Sequence, residues 1–74
     1  MHIQKIMDIT GHSEVAFDPK NVVSVEEAMA RFKELTEGKK YRAAKLNPNG
    51  EHEVIKEFDP NIEQTLFMPP LMGG

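Results

Sequence analysis

The chain opens on HIQKIMDIT, where Ile3, Ile6, Met7 and Ile9 recur in loose alternation among polar residues. Such a β-rich run predicts a strand, and Gly11, in the TGHSE that follows, lets the backbone reverse because glycine reaches positive φ without steric cost. SEVAFDP then resumes with Val15 and Phe17 on one face until Asp18-Pro19 stops it, so the first segment is expected to be a hairpin.

The period then changes. Val25, Ala28, Met29, Phe32 and Leu35 recur at helical spacing, while Glu26, Arg31, Lys33 and Glu34 take the other side. Ser24, with Glu27 three residues later, has the form of a capping box, in which each side chain satisfies an orphan backbone N–H. The pattern therefore predicts a helix from about Val25 to Glu37, stopped by Gly38 in the left-handed conformation. A single apolar stripe needs one sheet to cover it.

YRAAKL and HEVIKEF return to strand patterning on either side of NPNGE, whose Asn49-Gly50 is a strong hairpin turn signal. Asp59-Pro60 breaks the chain again, and TLFM is a last short strand before Pro69 and Pro70 end ladder pairing. Phe-Asp-Pro thus occurs twice, at 17–19 and 58–60, each time closing a strand. We read the two copies as the same turn chemistry, with no longer self-similarity to suggest a repeat. The fold class expected is α+β, a mixed sheet of four to five strands packed on one helix.

Seventy-four residues make one domain with a small core. No cysteine is present, so disulfides, thiolate metal sites and thiol nucleophiles are excluded and packing alone must hold the fold. The net charge of −3 argues against nucleic acid as the main ligand. MHIQKIMDIT lacks the layout of a secretory signal and no apolar run approaches a membrane span, so the expected setting is cytoplasmic, with no membrane partner.

The chain closes on TLFMPPLMGG. This tail resembles the end of the molybdopterin synthase small subunit, a sulfur carrier, and the order of elements is that of the β-grasp or ubiquitin-like fold. Phe67, Pro69 and Pro70 match the family's aromatic and proline pair, Leu71 and Met72 its apolar linker, and Gly73 and Gly74 its reactive terminus. The resemblance implies a β-grasp domain over residues 1–68, its C-terminal strand inside the sheet and parallel to the first, followed by an extended tail over 69–74. It also implies that the chain is not an enzyme and needs no cofactor. A ubiquitin-activating-type enzyme would adenylate the Gly74 carboxylate with ATP, and the acyl group would pass to sulfur or to a downstream acceptor protein.

The residue types suit that chemistry. Glycine lets bare backbone enter a narrow channel at whatever φ the channel imposes. Proline holds the preceding stem extended and lowers the entropy lost on docking. The sequence leaves open a sulfur carrier or a protein modifier, and also a small ubiquitin-like interaction module, of the kind phages and mobile elements encode, whose Gly-Gly is incidental.

Other candidates are weaker. His2, His12 and His52 lie far apart with no zinc-ligand spacing, and the carboxylates Glu51, Glu53, Glu57, Asp59 and Glu63 lack a core large enough to pocket an acid pair. KKYRAAK sets Lys39, Lys40, Arg42 and Lys45 around Tyr41, a pattern that binds nucleic acid in other settings. One sheet face is expected to meet the helix, and the other to expose part of the set Ala43, Ala44, Val54, Ile55 and Phe58.

Overall fold

A computed structural model describes residues 1–8 and 10–70. Five strands and one helix follow in the order β1 (His2–Asp8), β2 (Gly11–Phe17), α1 (Val22–Lys33), β3 (Arg42–Leu46), β4 (His52–Ile55) and β5 (Gln64–Met68), with a π-helical extension of α1 over Glu34–Gly38. The strands form one mixed sheet in the order β2-β1-β5-β3-β4. β5 lies at its centre, parallel to β1 and antiparallel to β3, as expected of the last strand. The class is α+β.

Both hairpins form where glycine was expected to allow them. Gly11 (φ 140°) starts β2 opposite Asp8, and Gly50 (φ 89°) closes the turn between β3 and β4. That second turn is held by Gly50 N–H to the Asn47 carbonyl at 2.9 Å and by Glu51 N–H to Asn49 Oδ1 at 3.0 Å. β4 stops at Ile55, short of the whole HEVIKEF run, and leaves Phe58 to pack from a loop.

The helix begins three residues earlier than the capping-box reading placed it. Asn21 is the N-cap, its side-chain oxygen accepting from Ser24 N–H at 3.1 Å. Ser24 is inside the first turn, and its hydroxyl accepts from Asp18 N–H at 2.8 Å, tying the helix to the corner after β2. Either serine or asparagine caps a helix, so a pattern holding both at this spacing has two solutions. The helix end also differs. The left-handed residue is Lys40 (φ 61°), while Gly38 takes no positive φ. The π-helical turn widens the last coil, so that Tyr41 N–H reaches the Leu35 carbonyl at 2.8 Å and the reversal falls two residues later.

The predicted stripe does face the sheet. Ala28, Phe32 and Leu35 are buried, with Val25 and Met29 half-buried beside them. The protein's four phenylalanines form one chain through the core. Ring centroids are 5.9 Å apart for Phe17–Phe58 and Phe58–Phe32, and 5.6 Å for Phe32–Phe67, in tilted or edge-on arrangements that suit the ring quadrupoles. The two Phe-Asp-Pro triplets meet here. In each, the aspartate side chain accepts from the N–H two residues on, 2.9 Å to Lys20 and 2.9 Å to Asn61, and its carbonyl closes a turn on the third residue. Identical turn chemistry turns both phenylalanines into one core.

Candidate functional site: the central strand and the open face

The tail called as the reactive site begins at the end of β5. Phe67 is fully buried against Phe32, on the helix side of the sheet, so its side chain anchors the strand and is not on the surface. Pro69 and Pro70 follow directly, each half-buried and outside the ladder. Leu71, Met72, Gly73 and Gly74 lie outside the described residues. What the fold fixes is the stem: the tail leaves from the middle of the sheet, from a strand bonded on both sides.

Alternation along β5 puts Leu66 and Met68 on the face opposite Phe67, away from the helix. Register extends that face across the whole sheet. One row runs Glu14, Lys5, Leu66, Ala44, Val54, each residue opposite the next. Val54 is 63% exposed and Leu46 36%, while Leu66 and Met68 are half-buried. Ala44 is covered by its larger neighbours at 1% exposure. Ile3 and Met7 continue the patch on β1, and Arg42, exposed and opposite Met68, stands at its rim. The expectation that one strand face would bury on the helix and the other expose apolar residues holds. Leu66, Met68, Leu46 and Lys5 were not singled out for that face in the sequence, although strict alternation from Phe67 and Val54 would have found the first two.

The basic stretch is divided. Arg42 and Lys45, three apart on β3, face opposite sides of the sheet, and Lys45 Nζ lies 3.7 Å from Glu53 Oε2. Lys39 and Lys40 stay in the connection after the helix. No single basic surface results from these four. The histidines are equally scattered: His2 Nδ1 lies 3.0 Å from the Pro60 carbonyl, while His12 pairs with Glu14 at 3.9 Å on an exposed edge. Among the described residues no group of three His, Asp or Glu is placed to hold a metal ion. Asp59 and Glu63 line a shallow groove beside the β3–β4 turn with Lys45 and Ile62, but the Asp59 carboxylate is already bonded to Asn61 N–H.

One buried polar group had no forecast. Gln4, on the helix side of β1, is fully buried, donating to the Ala28 carbonyl at 3.1 Å and accepting from Arg31 Nη1 at 2.6 Å. A buried amide left unpaired is costly, so this double bond fixes where the helix sits over the sheet. The signal was present as a polar residue at a position alternating with Ile6.

The site therefore has an anchored stem and an apolar display face with a basic rim. Among the described residues it brings together no nucleophile with an acid or base. No helix among the described residues is long and apolar enough to cross a membrane. No family model matches the chain, and no curated protein or solved structure is significantly similar to it.

Proposed function

We propose that the protein is a ubiquitin-like carrier, of sulfur or of its own acyl group, acting through Gly74. The reading takes the sheet order β2-β1-β5-β3-β4, with one helix after the second strand, as a β-grasp arrangement. The observation that carries it is the central position of β5. Phe67 holds that strand in the core, and Pro69-Pro70 lead directly from it toward Gly73-Gly74. The root of the tail is fixed by that strand, and on the open face Leu66, Met68 and Val54 offer apolar grip and Lys5 and Arg42 a basic rim to an acidic partner surface.

In this reading the chemistry belongs to an adenylating partner enzyme. The Gly74 carboxylate attacks the α-phosphate of ATP, pyrophosphate leaves, and the acyl-adenylate forms. A sulfur or amine nucleophile then displaces AMP, giving a thiocarboxylate, thioester or amide. The carrier contributes reach and recognition.

The test is intact mass after incubation of the chain with ATP and a ubiquitin-activating-type enzyme. The chain ending in Gly74 is expected to charge. Deleting Gly74 or appending one residue is expected to abolish charging and leave the melting temperature unchanged, because a terminus contributes little to packing. Gly73→Val is expected to charge poorly, since its β-branched side chain fills the space beside the backbone. Equal charging of the truncated and full chains would leave the interaction-module reading as the better account.

A further inference from the structure

The two edges of the sheet are built differently. β4 has four residues within a charged segment, GEHEVIKE, and its Glu53 is engaged by Lys45. β2 has seven residues, pairs with β1 in unbroken register, and contains no lysine, proline or bulge. Those are the devices by which proteins keep an open edge from pairing. β2 is a long edge whose one charged side chain is Glu14.

Its outward backbone groups can be assigned. Ile3 N–H donates to the Glu63 carbonyl at 2.8 Å, on the β5 side of β1. In an antiparallel ladder the residues alternate between groups turned to one neighbour and to the other. His2, Gln4, Ile6 and Asp8 therefore turn to β2, where they meet Phe17, Val15, Ser13 and Gly11. His12, Glu14 and Ala16 are left with N–H and C=O directed outward.

We propose that β2 is a self-association edge, and that two copies of this chain pair β2 to β2, antiparallel, about a two-fold axis at Ser13. An isologous interface must be complementary to itself, and the side chains select this register. Centring on Ser13 sets His12 of each copy opposite Glu14 of the other, donor against carboxylate. Centring one residue either way sets Glu14 opposite Glu14, like charges that destabilise, or His12 opposite His12, which forgoes both pairings with a carboxylate. In the chosen register both His12–Glu14 pairs join residues whose backbone groups already face outward, so each pair exchanges two hydrogen bonds and the sheet continues through the axis. Since β1 lies between β2 and β5, the end of β5 stays uncovered. The dimer stands whether or not the carrier reading does.

The test is light scattering of the full chain over a concentration series, with amide exchange at both ends of the range. A dimer is expected to form as concentration rises, with slower exchange at His12 and Glu14 and no change at Ser13 and Val15. His12→Glu is expected to weaken association by about tenfold or more, since two favourable pairs become repulsive. His12→Glu combined with Glu14→His is expected to restore it, with all three chains melting alike at concentrations too low for the dimer, because both side chains are exposed. A monomer at every concentration overturns the proposal. So does protection confined to β4 or to Leu66 and Val54, or a double exchange that fails to restore pairing.

Discussion

The two faces of the sheet use similar residues to opposite ends. Toward the helix, Phe67, Ala43 and Phe17 are all but inaccessible, and each phenylalanine ring meets another edge-on or tilted. Away from it, Leu66 and Met68 stand on the same strand as Phe67, one residue over and half-buried, and Val54 on β4 is open to water. Neighbours in sequence thus differ in what they contribute. The covered face supplies the stability of a domain whose total is on the order of 5 kcal/mol. The open face is held in shape by that core and is free to serve contact with another molecule.

Adjacent truncations on β5 test that division most severely. Phe67→Ala removes a fully buried ring and is expected to cost about 3–5 kcal/mol, most of the stability of so small a domain. Phe32→Ala, at the middle of the same aromatic chain, should behave alike. Leu66→Ala gives up less burial and is expected to cost roughly 1–2 kcal/mol, short of the ~2–5 kcal/mol seen for leucine in full cores. Urea denaturation of all three compares them directly. Equal losses at Leu66 and Phe67 would mean that the open face is a second core.

The buried amide sharpens the comparison from inside the covered face. Arg31→Ala strands the Gln4 side-chain oxygen without its donor in a dry position, and is expected to cost about 1–3 kcal/mol. Gln4→Leu removes the amide and keeps the volume, leaving Arg31 to turn to solvent, so its cost is expected to stay below about 1 kcal/mol. Denaturation midpoints that rank the two variants the other way would show that the glutamine acts through packing, with its bonds incidental.

Much of this architecture was legible in the sequence because it rests on local rules. Alternation marked the strands, Gly11 and Asn49-Gly50 marked the turns, and the stripe through Ala28, Phe32 and Leu35 marked the buried helix face. The helix ends were misplaced for a physical reason. Asn21 and Ser24 are both competent caps, and the choice between them depends on Asp18, whose N–H needs the serine hydroxyl. At the other end a π-helical turn moved the reversal from Gly38 to Lys40, a position where sequence preference would have put glycine. Gln4 was marked only as a polar residue in phase with Ile6, and its role was hidden because its partners, Ala28 and Arg31, lie far along the chain. Of the candidate site, the stem was readable and the open face only in part. Which apolar residues lie beside Leu66 follows from register with β1 and β3, and register is a tertiary fact.

The smallest effect on stability is expected at Val54, and it separates the two faces most cleanly. Val54 is 63% exposed on β4, directly opposite Ala44 on the open face. Val54→Thr keeps the β-branched shape and the strand preference while adding a hydroxyl, so the stability should change by no more than about 0.5 kcal/mol and the melting midpoint hardly move. In the proposed function the same substitution weakens the apolar grip of the open face, raising the KM of the adenylating enzyme for the carrier while kcat, which depends on Gly74, stays as it was. Steady-state charging assays on the two chains read both parameters. A changed midpoint with an unchanged KM would assign Val54 to the fold alone, and the contact surface would then have to lie elsewhere than on this row.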